Sequence, residues 1–355
     1  MTTATVWRGT GILIASLLAL AGWIVFRRRG PSAPSNGIVS RPRTASAGSA
    51  VVASAPVETA GRLAAQRLWR LAFGAPAEAP PFLARAHQRV RDLICAVLQV
   101  DALDPNYFPR RPTLMPQLLQ AVNDPNAASE KLSRMIAHDP VLAGDVLRLA
   151  NSSLYRIAPA PIETIQRAIV VCGVDALRAI LATAILQPVF RASRSNFPRL
   201  PRMLWERTER AARAAELYAA KTQPRDRFEA QLLVLLSSLG PLVVYSAALD
   251  GYSRAPRLTP NPSLFVELID TLGLQMSQRI ARDWETSPRL LAALDASGEE
   301  GLRSALHVGE LLGTLSLLES QTVISRDERL EILKGAGLTG SWVEEIWIRI
   351  AASTY

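Results

Sequence analysis

The sequence predicts an all-α fold, and three observations carry that reading. Alanine, leucine and arginine, all good helix formers, dominate, while aromatic residues make up only 6% of the chain. From about Thr59 onward apolar residues recur at i, i+3 and i+4, and no alternating strand series breaks the pattern. Pro and Gly interrupt it where helices would end, without a repeat of fixed period. With 49% hydrophobic and 20% charged residues, the 355-residue chain has the composition of a packed globular protein and the length of one large domain or two modest ones.

Two segments come before the helical pattern. Residues 9–26, between Arg8 and Arg27, carry no charge, and a helix over them would be roughly 27 Å long, close to the hydrocarbon thickness of a bilayer. Trp7 and Trp23 lie near its ends, and Arg27, Arg28 and Arg29 follow at once, which puts the bulk of the chain on the cytoplasmic side. Ala19-Leu20-Ala21 resembles a signal-peptidase site, but the apolar run continues past it into three arginines, a pattern that resists export. The expectation is a single-pass anchor over residues 1–29 in the inner (cytoplasmic) membrane. Residues 30–58, rich in Pro, Ser, Ala and Gly, cannot bury enough surface to order themselves and read as a flexible linker.

A helical lead-in is expected over 59–105. Leu63, Leu68, Leu71 and Phe73 suggest a first amphipathic helix ended by Gly74. A second, over about Pro81–Val100, carries Phe82, Leu83, Val90, Leu93, Ile94 and Val97, with His87 on its surface. The main domain is expected over 106–295. Asp139-Pro140 is a cap followed by proline at the first helical position, opening a helix that buries Leu142, Val146 and Leu149. A helix from near Pro161 places Ile162, Ile165, Ile169 and Cys172 on one face and stops at Gly173. Asp175 then starts another, with Leu177, Ile180, Leu181, Ala184 and Ile185 inward, and further helices begin near Pro201, Phe228, Pro262 and Ser287. Residues 296–355 read as a C-terminal helical extension.

Charge and side-chain inventory exclude several functions. The formal charge is +9, but only Lys131, Lys221 and Lys334 are lysines, and an excess of arginine and alanine reflects genome composition more than a nucleic-acid footprint. The densest cluster, Arg191 to Arg213, is interleaved with Glu206, Glu209 and Glu216 and reads as an exposed face of mixed sign, with no aromatics to stack bases. Two cysteines, Cys95 and Cys172, cannot form a disulfide framework or zinc module, and both fall on apolar helix faces where thiols are inert. No glycine-rich phosphate loop or G-x-S-x-G elbow occurs.

Taken together, Asp139-Pro140, the run Arg148-Leu149-Ala150-Asn151-Ser152, then Tyr155, Ile165, Ala168-Ile169 and Gly173, resemble the opening half of an HDOD domain, the signalling relative of the HD-domain phosphohydrolases. Leu204-Trp205, Leu272-Gly273 and Trp284 look like later landmarks of that family. The resemblance implies an all-α HD-like bundle. In catalytic relatives, an adjacent His and Asp with further ligands hold divalent metal, whose bound water attacks a phosphoester. Here the matching stretch reads Leu235-Leu236-Ser237-Ser238-Leu239-Gly240, so Ser237 and Ser238 stand where His and Asp would be, and an earlier histidine position falls on Arg207. Hydroxyls and a guanidinium cannot replace those ligands, so no catalytic residue, metal or cofactor is expected. His138-Asp139 is a literal His-Asp pair about a hundred residues too early, explained by the helix cap. His307 and Glu310 are spaced i, i+3 and read as a helix-surface pair rather than metal ligands.

The resemblance implies bacterial signal transduction without catalysis, through a protein partner or a small signal. Nucleic acid is an unlikely partner, for the reasons of charge given above. The candidate contact residues are Asn151, Arg202, Arg207, Arg210 and Arg213. Asn151 either satisfies backbone groups of the next turn or lines an interhelical pocket. An alternative has the arginine helix bind an anionic cyclic dinucleotide, since guanidinium suits bidentate phosphate recognition. A divergent phosphohydrolase is the remaining reading.

Overall fold

A computed structural model describes residues 54–75, 84–100, 107–109, 111–117, 128–156, 160–191, 197–295 and 297–351. The expected membrane anchor and nearly all of the linker lie outside these residues. Among them the chain forms α1 (Ser54–Phe73), α2 (Arg85–Gln99), α3 (Ala128–Ala137), α4 (Pro140–Ala150), α5 (Ile165–Leu186), α6 (Arg199–Thr222) and α7 (Arg227–Ser237). There follow α8 (Leu239–Ser253), α9 (Pro262–Asp283), α10 (Pro288–Leu294), α11 (Glu300–Ser320), α12 (Arg326–Gly335) and α13 (Ser341–Ala351). No strand occurs among the described residues, so the fold is the expected all-α bundle.

The centre of the bundle is the antiparallel-layer contact of α6 with α11, and small residues make it close. A Cβ added at Gly313 would sit 2.4 Å from the Ala211 amide nitrogen, and one at Gly309 would sit 2.6 Å from the Ala211 carbonyl oxygen. Only glycine lets the two backbones approach this far. The region expected as a C-terminal helical extension of the same domain supplies a central core helix: Leu311, Leu312, Leu315, Leu317 and Leu318 are fully buried.

α1 begins at Ser54, a few residues inside the expected linker, because Val57 already packs into the core. Its buried stripe is Val57, Ala64, Leu68, Trp69, Ala72 and Phe73, whereas Leu63 is 57% exposed. The expected stripe was displaced because alanines 64 and 72, not only large side chains, make the contact. In α2, Val90, Ile94 and Leu98 face inward and Leu93 outward. His87 is not a free surface side chain, since its Nδ1 lies 2.9 Å from the Tyr252 hydroxyl.

Local signals in the middle of the chain act as the sequence predicts. The Asp139 carboxylate accepts from the amides of Val141 (2.9 Å) and Leu142 (3.0 Å), capping α4 ahead of Pro140. The next helix starts at Ile165 and not near Pro161, because Thr164 caps α5 through the Arg167 amide; Gly173, at φ 81°, breaks the helical path before Asp175 as expected. The segments Ile165–Val189 and Pro224–Ser253 are long and apolar enough to cross a membrane, but more than half of the most apolar 18-residue stretch of each is buried in the bundle, as core helices are.

Candidate functional site

The site begins at the break between α7 and α8. The Ser237 and Ser238 hydroxyls both donate back to the Val234 carbonyl, at 3.0 and 2.9 Å, as serines do at helix ends. Ser277 of α9 clamps the break from outside: its hydroxyl donates to the Ser237 carbonyl (2.7 Å) and accepts from the Gly240 amide (2.9 Å). The approach is so close that a Cβ on Gly240 would overlap the Gly273 carbonyl. The bend is thus held by Gly240, Gly273 and Ser277, and it presents Ser237 to a cleft of about 240 Å3 between α1, α6, α7, α9 and α11.

Arg207 of α6 projects into this cleft and is 5% exposed. Its Nη2 lies 3.4 Å from Glu310 Oε1, and its Nε donates to the Thr314 hydroxyl at 3.0 Å. The Ser237 hydroxyl also donates to Glu310 Oε1, at 2.9 Å. Trp69 of α1 covers the guanidinium, with its ring centroid 5.8 Å from Cζ. Of the three residues that the resemblance singles out, Arg207 and Ser237 meet at this cleft through Glu310, while Ser238 is fully buried and bonds back to Val234. A guanidinium beside the Glu310 carboxylate repels a divalent ion there, and serine hydroxyls are weak ligands. Among the described residues no three His, Cys, Asp or Glu side chains group as metal ligands would. The residues present do not fit a divalent metal.

Several expectations change here. His307 and Glu310 are not a helix-surface pair; both line the cleft, against α1 and α7. Nor is α6 an exposed face of mixed sign. Arg207, Glu209, Arg210, Arg213 and Glu216 are all buried, because their opposite charges and hydroxyl neighbours neutralise them inside the bundle. Arg210 donates to Ser316 (3.2 Å) and Ser320 (3.1 Å). Arg213 pairs with Glu216, lies over the Tyr155 ring, and shares Glu216 with Arg227 (2.8 Å). Arg202 is exposed and pairs with Glu206 at 3.4 Å. These arginines point to separate partners rather than converging on one anion.

Asn151 fastens the loop between α4 and α5. Its side-chain nitrogen donates to the carbonyls of Leu147 (2.8 Å) and Ile162 (2.7 Å), and its oxygen accepts from the Ile162 amide (2.7 Å). Beyond it, Gln231 of α7 donates to Tyr155, Thr183 and the Ala179 carbonyl in the core, and burial pushes the Tyr155 phenol far above its ordinary range. Burial likewise raises both cysteine thiols. His138 directly follows α3 and bonds its own helix end at the Arg134 carbonyl (2.7 Å), leaving no metal role for the His138-Asp139 pair. Sequence reasoning missed Trp69, Thr314 and the union of Glu310 with Arg207, since nothing local signals which helices meet.

The model of the HDOD domain matches residues 108–299. The chain belongs to the HDOD family. Its fold is similar to a solved HDOD domain protein of unknown function from Geobacter sulfurreducens, at 18% identity and TM-score 0.51 over 75% of this chain and 95% of the other. It is similar also to a Shewanella amazonensis protein provisionally described as a metal-dependent phosphohydrolase, at 16% identity and TM-score 0.53 over 76% and 99%. At these identities the likeness concerns the fold. No curated protein matches the sequence. The HDOD match stops before Glu310 and Thr314 and starts after Trp69, so the groups that hold Arg207 come from flanking helices.

Proposed function

We propose that this HDOD chain is a membrane-tethered signalling module that recognises a partner protein and carries out no hydrolysis. The observation that supports this reading best is the Arg207–Glu310 pair, capped by Trp69 and bonded to Thr314 and Ser237. A scaffold that could have held metal has its carboxylate neutralised by a fixed internal cation. Its helical frame is intact, so the remaining surface is available for recognition. The apolar run over residues 9–26 supports the tether, with the HDOD body on the cytoplasmic side.

The test uses the full-length chain purified in detergent. Metal analysis is expected to find no stoichiometric Mn, Fe or Zn, and assays against phosphomonoesters and cyclic dinucleotides with added metal are expected to show no turnover. Bound metal with turnover would overturn the non-catalytic reading. Cross-linking from native membranes is expected to capture one partner reproducibly, and capture that survives scrambling of the HDOD surface would overturn the recognition reading.

A further inference from the structure

The cleft beside Arg207 is lined by further cationic and imidazole groups that make few contacts within the protein. The Arg303 side chain on α11 is only 20% exposed, yet it has a single acidic neighbour, Glu300, at 3.8 Å and makes no side-chain hydrogen bond among the described residues. One turn along the same helix, His307 is 13% exposed and its buried Nδ1 has no hydrogen-bond partner. Residues four apart on a helix lie about 5–6 Å from each other at Cβ, so these two groups face the cleft together. Arg62 of α1 lines the same space and has no ion pair among the described residues. A buried polar atom left unsatisfied, as His307 Nδ1 is, is costly and seldom persists without a role.

Charges from four helices line the cleft around His307. α1 contributes Glu58 and Arg62, α6 contributes Arg207, α9 contributes Asp270, and α11 contributes Arg303 and Glu310. Glu310 is committed to Arg207 and Ser237, and Asp270 accepts from Gln66 at 2.8 Å. Glu58 lies 4.0 Å from His307 Nδ1 but largely in solvent, where it is free to turn away, and Glu300 faces Arg303 from the adjoining turn at 3.8 Å. Trp69, Ile269, Leu294 and Leu306 give the cleft an apolar wall.

We propose that this cleft binds the phosphate group of a small organic molecule, with Arg303, His307 and Arg62 as donors and the apolar wall against the carrier. Two guanidiniums and an imidazole approach from two helices, which suits a tetrahedral anion with several acceptor oxygens. All three donors lie outside residues 108–299, so the site belongs to the flanks of this chain and not to the HDOD match. The proposal rests on the non-catalytic reading, since the ligand is held and not cleaved.

The experiment titrates AMP and inorganic phosphate into the full-length chain in phosphatidylcholine nanodiscs, and repeats this in nanodiscs containing phosphatidylglycerol. Saturable AMP binding is expected, weakened at least about tenfold by Arg62→Ala and by Arg303→Gln, and tightened by Glu58→Gln. Arg62 is exposed, so its variant remains informative if Arg303→Gln fails to fold. A soluble phosphate ester is the source if phosphatidylglycerol leaves AMP binding unchanged, and a lipid headgroup is the source if phosphatidylglycerol competes in an Arg62-dependent way. Absence of both binding and competition, or binding indifferent to Arg62 and Arg303, overturns the proposal while leaving the non-catalytic reading intact. Turnover of AMP would instead sink that reading.

Discussion

Arg207 and Glu310 depend on each other because neither has water enough to solvate its charge. Arg207→Ala leaves Glu310 without its counter-ion, and since Glu310 keeps about a quarter of its surface, the expected loss is about 2–3 kcal/mol, read as a lowered urea midpoint. The double variant Arg207→Met with Glu310→Leu is expected to recover most of it, because replacing both charges removes the desolvation cost as well as the attraction. Full loss in the double variant would mean that Arg207 acts through Thr314 and Trp69 instead. Glu229, in the first turn of α7, supplies a pH test. Burial raises its carboxyl above the ordinary range, with Asp226 adding to the effect against Arg289 and Arg178. The folded state then holds a proton more tightly than the unfolded one, so this group's contribution to stability falls as pH climbs from the ordinary carboxylate range through the raised folded value. Glu229→Gln is therefore expected to raise the melting temperature at pH 7 more than at pH 4. Equal effects at both would remove the titration as its cause.

Helix contacts set the next scale. α6 and α11 touch backbone to backbone at Ala211 and Gly313, and a methyl there has nowhere to go but into the Ala211 amide. Gly313→Ala is expected to cost about 1–3 kcal/mol by forcing the helices apart. Gly144, inside α4, has open space around its missing Cβ. Gly144→Ala is expected to add about 0.5–1 kcal/mol through helix propensity and a less flexible unfolded chain. Thermal melts of the two variants should thus move in opposite directions. A stabilising Gly313→Ala would mean that the α6–α11 contact yields more readily than its geometry implies.

At the scale of the molecule, one apolar run outside the described residues and two inside them compete for the membrane. The inner two, Ile165–Val189 and Pro224–Ser253, are largely spent on the core. The proposed anchor is accordingly residues 1–29. Deleting 1–29 is expected to move the chain from the membrane pellet to the soluble fraction, whereas the full chain should resist carbonate extraction. Persistence of the deleted form in the pellet would transfer the anchoring role to the HDOD body or to a bound partner.

Local chemistry alone made much of this protein legible. The Asp139-Pro140 cap, the break at Gly173 and the apolar stripes of α4 and α5 depend on neighbours within a few residues, so they could be read directly. That Arg207, Ser237 and Ser238 are poor metal ligands was equally legible, because it is a matter of which side chains are present. Only tertiary structure decided what those positions became. The charges of α6 look solvent-facing in one dimension because alternating Arg and Glu on a helix usually are; they turn inward here because α11, about a hundred residues away, brings Glu310, Thr314, Ser316 and Ser320 against them. Pairing between distant helices depends on small residues such as Ala211, Gly309 and Gly313 letting backbones meet, and no periodicity in either helix reports where its partner lies.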